Sequence, residues 1–254
     1  MKNKYVDFIS DKHLIDCIAN LHKSYLKAKN NITKKNFYSN KVDTIKLTFD
    51  AKINGISEES LIEAEVLRQI DKSINNSIGT FHEQILGGIK GFEVGKLSGF
   101  DIKAKDDTLF ADIKNKHNTM NSSSAEALFQ KLARYADDYK KSKCYWVQIL
   151  AKGSFEELWS GEINGKEYSH SRVYKISGDK FYALLSGKED AFLQLYKALP
   201  IAIGDYLNTI KVNKDIVENS ALNEIKKETK KTKRTILDQI TFENYSYYLG
   251  FNKL

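Results

Sequence analysis

Leu109-Phe110-Ala111-Asp112-Ile113-Lys114, preceded by Ser98-Gly99-Phe100-Asp101-Ile102, is the stretch that decides the fold. Its alternation is that of a strand, so Asp112 and Lys114 share one face while Leu109, Ala111 and Ile113 share the other. Upstream, Phe100 and Ile102 point one way and Asp101 the other. A turn at Lys105-Asp106-Asp107 then brings Asp101 alongside Asp112 on neighbouring antiparallel strands. Two carboxylates converge beside a lysine. Lysine and aspartate are both abundant in this chain, and the same triplet also fits the solvated polar face of an ordinary strand.

The chemistry that such a cluster suits is specific. Mg²⁺ takes oxygen ligands in near-octahedral geometry and keeps several waters, so two carboxylates, phosphate oxygens and water complete its shell. A metal held there polarises a phosphoryl group and activates water. Lys114 sits where charge builds up, orienting the attacking water or stabilising the transition state. The reaction implied is hydrolysis of a phosphodiester.

Outward from these strands, hydrophobic spacing sets an order of elements. A helix is predicted from Ser57 to about Leu86, because Val66, Ile70, Ile74, Ile78, Phe81 and Ile85 recur at intervals of three and four, with Ser57 as N-cap and Gly87-Gly88 as stop. Extended pieces follow around Phe92-Glu93-Val94, then the Asp101 and Asp112 strands. A second helix is predicted from Ser123 to Lys141, with Ala125, Leu128, Phe129, Leu132, Ala136 and Tyr139 as its apolar stripe and Ser123 with Glu126 as a capping box. Cys144 to Ala151 has the pattern of a buried central strand, from which Gln148 either reaches the site or, as the main expectation, is a core amide bonded to backbone.

In that order of helix, three strands, helix and strand, Gly99-Phe100-Asp101 and Asp112-Ile113-Lys114 resemble the nuclease superfamily named for its PD-(D/E)XK motif. More narrowly, Thr80-Phe81-His82-Glu83-Gln84-Ile85-Leu86-Gly87-Gly88, the run from Phe110 to Ser124 and Cys144-Tyr145-Trp146-Val147-Gln148-Ile149 resemble the type II restriction endonucleases that cut GGNCC-type sites. The likeness spans roughly Phe8 to Leu207, and it departs from the superfamily's Pro-Asp in carrying Phe100 before Asp101. It implies an α/β fold with a restriction-endonuclease-like core, a central mixed β-sheet flanked by helices. It also implies Asp101 and Asp112 as metal ligands and Lys114 as the residue serving the water. Glu83 joins them as a further catalytic and metal-binding residue, because the superfamily often places a helical glutamate near the metal. By helical geometry Glu83 lies nearly opposite the Ile74, Ile78, Phe81, Ile85 stripe and faces either a cleft or bulk solvent.

Composition agrees with a nucleic-acid enzyme. The 254 residues carry a formal net charge of +7, a balance that favours polyanionic partners. A hydrophobic fraction of 41% is that of a globular protein, with no apolar run approaching the roughly 20 residues of a membrane span. No signal-peptide core opens the chain, and Cys17 and Cys144 lie in apolar periodic segments as reduced thiols, so the expected location is the cytoplasm. The basic runs Lys23 to Lys41 and Lys226 to Arg234 are either DNA-backbone contacts or solvated lysine faces.

Between the acidic strand and the next helix, Asn115-Lys116-His117-Asn118-Thr119-Met120-Asn121-Ser122 is dense in short donors and acceptors and enters a helix N-terminus. Lys116, Asn118, Thr119 and Asn121 are therefore candidate DNA contacts. Arginine is confined to Arg68, Arg134, Arg172 and Arg234; Arg172 is the candidate for guanine readout, although it precedes an apparent hairpin, Val173–Ile176 with Phe181–Leu185, and equally supports a turn there. An N-terminal helix over Asp11 to Lys29 is expected, as is a late helix through Phe192, Leu195 and Leu199, broken or restarted at Pro200.

The expectation is one nuclease domain over residues 1–254, with a catalytic core at about 57–152 and a C-terminal extension at 208–254 that binds DNA, dimerises or covers the core. The chain is expected to be a type II site-specific endonuclease that uses Mg²⁺ on double-stranded DNA at a short palindromic, GGNCC-like site. It would act as a homodimer away from membranes, with a cognate DNA methyltransferase in the same system. Two alternatives stay open: a repair or junction-resolving nuclease with this core, and a non-catalytic DNA-binding protein.

Overall fold

The computed structural model describes residues 3–30, 33–95, 99–118, 120–210 and 220–245. In chain order these form helices α1 (Asp11–Asn30), α2 (Lys34–Ser39), α3 (Thr44–Asn54) and α4 (Glu58–Gly87), then strands β1 (Phe92–Val94), β2 (Ile102–Ala104) and β3 (Leu109–Lys116). Helix α5 (Ser122–Asp138) and strand β4 (Lys143–Leu150) follow. Short strands β5 (Glu156–Leu158), β6 (Gly161–Ile163) and β7 (Lys166–Tyr168) precede β8 (Val173–Ser177). Helices α6 (Gly178–Ser186), α7 (Ala191–Thr209), α8 (Ser220–Thr232) and α9 (Ile236–Tyr245) complete the described chain. The contacts divide it into two compact units, residues 1–21 with 77–212 and residues 22–76 with 213–254.

The first unit holds a mixed six-stranded sheet in the order β1-β2-β3-β4-β8-β5. β1, β2 and β3 run antiparallel, β3, β4 and β8 run parallel, and β5 returns antiparallel on β8. Helices cover both faces, as the parallel crossovers require. On one face Ala111, Ile113, Tyr145, Val147 and Ile149 pack with residues of α1, the end of α4, α6 and α7. On the other, Phe110 and Cys144 pack with Leu128, Phe129, Leu132 and Ala136 of α5. The α/β architecture and the order of helix, three strands, helix and strand are those expected.

Three local expectations are corrected. The segment after β8 is the helix α6 and not a second hairpin arm, because Phe181, Tyr182 and Leu185 are spaced to bury one helical face. Gly178 lets this helix start close to β4: a Cβ there would come 2.6 Å from the Ile149 carbonyl oxygen. Second, α7 runs through Pro200 without ending. The Tyr196 carbonyl that proline cannot serve belongs to an exposed turn, open to solvent. Third, α5 begins one residue early and is capped by Asn121, whose side chain accepts from Ser124 N–H at 2.8 Å. Glu126, freed from any capping box, bonds instead to Tyr168 and Asn164.

The second unit is helical. Phe37, Val42, Leu47, Leu61, Ile62, Val66, Ala221, Leu222, Ile225 and Ile240 form its core, and Glu58 accepts from the Ile236 N–H at 2.8 Å at the start of α9. Part of each basic run is paired here, Lys226 of the second with Glu59 at 3.0 Å and Lys34 of the first with Glu228.

Candidate active site

The antiparallel register of β2 on β3 pairs Ile102 with Ala111, and the Asp101 N–H donates to the Ala111 carbonyl at 3.0 Å, so Asp101 stands beside Asp112. The turn that makes this possible is stabilised locally: Asp107 adopts a positive φ of 59°, and Asp106 accepts from the Thr108 N–H at 3.2 Å and hydroxyl at 2.6 Å. Gly99, at φ +75°, turns the chain into Phe100 and Asp101 with a backbone that a side chain would strain. Phe100 fills the position of the superfamily's proline as a buried core residue packed on Phe110 and Tyr135.

Asp112 is only 8% exposed, and both its oxygens are engaged. Lys114 donates to Oδ1, and Lys131, from α5, lies 3.4 Å from Oδ2. Asp101 Oδ2 accepts the Ile113 N–H at 2.6 Å. Burial pushes the Asp101 carboxyl up, the Ile113 bond pulls it part of the way back, and the Asp112 charge adds to the rise. Glu83, half-buried on α4, is pushed up to about 7, first by burial and next by the Asp101 charge. Its cleft-facing alternative is therefore the realised one, since it senses Asp101, Lys114 and Asp112 together. Its neighbour His82 turns elsewhere, with Nδ1 2.9 Å from the Tyr182 hydroxyl, and burial lowers its pKa to about 4.

This is a crowded acidic cluster relieved by two ammonium groups. Asp101 and Glu83, whose affinity for protons is raised by burial and by neighbouring carboxylate charge, make with Asp112 a donor set that a hard divalent cation would satisfy. Among the described residues, no three His, Cys, Asp or Glu side chains stand close enough to form a complete metal cage. An open set suits an ion that keeps waters and takes substrate oxygens.

The candidate DNA contacts distribute unevenly. Lys116 is exposed at the end of β3 and Asn118 is exposed in the loop beyond, which His117 pins to β4 through its N–H on the Leu150 carbonyl at 3.1 Å. Thr119 lies outside the described residues. Asn121 spends its side-chain oxygen as the α5 cap. Arg172 holds the far end of α5, donating to the carbonyls of Tyr139, at 3.2 Å, and Lys140. It stands before the first residue of β8, whereas Lys114 lies toward the opposite ends of the parallel strands. Gln148, buried, is in register with Lys114 and so shares its face. Lys131 was not expected in the site. Its signal was indirect: it adjoins Leu132 on the helix that covers the face bearing Asp112.

The mixed, helix-flanked sheet is consistent with what the sequence comparison gives. Residues 6–208 match the Eco47II restriction endonuclease family. The chain belongs to that family. It is similar to the type II restriction enzyme Sau96I of Staphylococcus aureus, 40% identical over 99% of this chain and 100% of the relative. It is also similar to the type II restriction enzyme Eco47II of Escherichia coli, 28% identical over 78% of this chain and 86% of the relative. The match borders sit within two residues of the span expected from sequence. As a member of the Eco47II family the chain is a type II restriction endonuclease, a phosphodiester hydrolase acting on DNA, which sets aside the repair-nuclease and non-catalytic readings. Enzymes of this kind generally need a divalent metal. No helix among the described residues is long and apolar enough to cross a membrane.

Proposed function

We propose that Asp101, Asp112 and Glu83 hold Mg²⁺ and that Lys114 serves the attacking water in the cleavage of double-stranded DNA at a short palindromic, GGNCC-like site. The observation that carries this reading is the convergence of Asp101 and Asp112 through the β2–β3 register, with Lys114 paired to Asp112 Oδ1. Bound there, Mg²⁺ would supply Lewis-acid polarisation of the scissile phosphate and lower the pKa of a coordinated water. The chain's own contribution is positional. Asp101 is fixed by the Ile113 N–H, which leaves its other oxygen to face the cluster. Lys114, once released from Asp112, is placed to orient the water or to stabilise charge developing on phosphate oxygens.

Lys116, Asn118, Thr119 and Asn121 are proposed as DNA contacts because in sequence they span the end of β3, just beyond Lys114, and the donor-rich stretch that leads to α5. Arg172 is proposed as a base-reading residue, with its present hold on the α5 carbonyls as the competing use of its guanidinium. A palindromic site calls for a twofold pair of subunits. Support for a homodimer comes from the exposed stripe Leu193, Tyr196, Pro200, Ile203 and Leu207 on α7, spaced alternately by three and four. We place the enzyme in the cytoplasm beside a methyltransferase that protects its own sites, since an unprotected genome would be cut.

Incubation of a sequenced plasmid with the protein and MgCl₂, followed by end sequencing, tests the reading. Discrete fragments ending at GGNCC sites are expected. Asp112→Asn and Lys114→Ala should each lose cutting while retaining DNA binding in a gel-shift assay. A folded variant of either that still cuts the plasmid at the parental rate would refute the assigned roles.

A further inference from the structure

Lys131 belongs to no motif that led to the site, yet its ammonium is anchored on three sides. It donates to the Gly99 carbonyl, lies 3.4 Å from Asp112 Oδ2 and sits 4.1 Å from the centroid of the Phe100 ring. That ring is itself fixed: Phe100 is 3% exposed, meets Tyr135 edge-on at 4.6 Å and Phe110 at 5.4 Å. Leu128 and Leu132 seat α5 on the same side of the sheet, so the root of the Lys131 side chain is held too. Lys114 differs. Its one ion-pair partner among the described residues is Asp112, through Oδ1. A cation entering the cluster would therefore displace Lys114 and leave Lys131 in place.

We propose that Lys131 is a positioning residue that occupies Asp112 Oδ2, leaves only Oδ1 to a cation and thereby sets the preference of this centre for Mg²⁺ over Ca²⁺. The proposal rests on the assignment of Asp112 as a metal ligand. Its physical basis is the different demand of the two ions. Ca²⁺ gathers six to eight oxygens and often takes both oxygens of a carboxylate, whereas Mg²⁺ requires near-ideal octahedral geometry. A carboxylate with one oxygen tied to a fixed ammonium meets the second requirement and frustrates the first. Phe100, in place of the superfamily's proline, is what lets the ammonium rest there, through a cation–π contact.

The test uses the full-length protein as Lys131→Met, Lys131→Gln and Lys131→Arg, titrated separately with CaCl₂ and MgCl₂ and followed by the ion-induced rise in melting temperature. Both ions carry the same charge, so loss of one ammonium raises both affinities alike and cancels in their ratio. Lys131→Met should raise the Ca²⁺-to-Mg²⁺ affinity ratio roughly tenfold, by the usual weight of an outer-shell partner. It should also lower kcat for plasmid cleavage in Mg²⁺ with KM little changed. Lys131→Arg, which keeps a cationic donor, should restore the ratio most of the way. An unchanged ratio in Lys131→Met would overturn the proposal. So would a raised KM together with a salt dependence weakened by about one ion, which would mark Lys131 as a phosphate contact. Should the methionine variant lose its folding transition, Lys131→Gln is held to the same outcomes. If Asp112→Asn binds both cations like the parent, the ligand assignment fails, and that result is distinct from a failure at Lys131.

Discussion

The two faces of β3 carry opposite duties within one strand. Leu109, Ala111 and Ile113 face the larger core, where Tyr145, Val147 and Ile149 of the neighbouring strand continue the apolar surface. On the other face Phe110 starts in an aromatic cluster with Phe100, Tyr135 and Tyr139, and Asp112 and Lys114 continue it as charge. A buried acid is tolerated on that face because Lys114 and Lys131 serve Asp112. The difference teaches that the charged cluster, the proposed site of chemistry, stands where β3 runs out from under the aromatic packing, on a strand whose opposite face is fully packed.

The sharpest way to break this division is Asp112→Asn, which should lower Mg²⁺-supported cleavage by about a thousandfold or more without lowering thermal stability. Plasmid cleavage and a melting curve on the same sample decide it; a marked loss of stability with cutting intact would make Asp112 a structural acid. Lys114→Ala should cost somewhat less, on the order of a hundred- to a thousandfold in kcat, as expected for a proton-transfer or water-orienting group.

Substitution on the opposite face should do the reverse. Ile113→Ala removes a buried side chain, 7% exposed, and should cost about 2–4 kcal/mol of stability in denaturant unfolding, while cleavage per folded molecule stays within a few-fold. A large fall in kcat with stability unchanged would mean that the two faces are not separable.

A smaller effect sharpens the contrast at His82 and Glu83, adjacent on α4 but turned to different surroundings. His82 is lowered to about 4 by burial, so the unfolded chain binds the extra proton between about pH 4 and 6.5, and stability from this group rises with pH through that window. Glu83 is raised to about 7, so the folded chain binds the extra proton above about pH 4.5, and its contribution falls as pH rises to 7. The two slopes oppose each other. Relative to the parent in metal-free buffer, Glu83→Gln should gain stability from pH 5 to 7 and His82→Asn should lose it, as read by melting temperature. Parallel profiles in all three proteins would refute the assignment of distinct surroundings.

The least effect is expected at the thiols, one in each core of the first unit. Burial pushes Cys17 up to about 12 and Cys144 up to about 11, so neither should react with a disulfide reagent at pH 8 until the protein is denatured. Rapid labelling of one native thiol would show that its side of the sheet opens readily.

Much of this was legible in the chain because the signals were local. The period-two alternation of β3, the Ser57 start and Gly88 stop of α4, and the run of β-formers in β4 each follow from neighbours within a few residues. The Asn164-Gly165 turn of the β6–β7 hairpin, with φ of 55° and 74°, carries an equally local signal that the sequence reading passed over. Elsewhere the local signal was ambiguous. Phe181-Tyr182-Ala183-Leu184-Leu185 fits either a strand or a helix, and the burial of Phe181, Tyr182 and Leu185 on one helical face decided for the helix. Ser123 and Asn121 are both good caps, and only the geometry of the helix start chose Asn121.

Sequence by itself determined that Asp112 and Lys114 share a face, that Asp101 could be brought beside them, and that the chain has the motif order of its family. These follow from backbone periodicity, which is a property of contiguous residues. Only the tertiary structure decided that Glu83 turns toward the acids, that Lys131 from a helix 19 residues away in sequence joins Asp112, and that Arg172 grips the end of α5. Those choices depend on how separate elements pack, and the field that a buried charge feels is set by whatever that packing brings within a few ångströms.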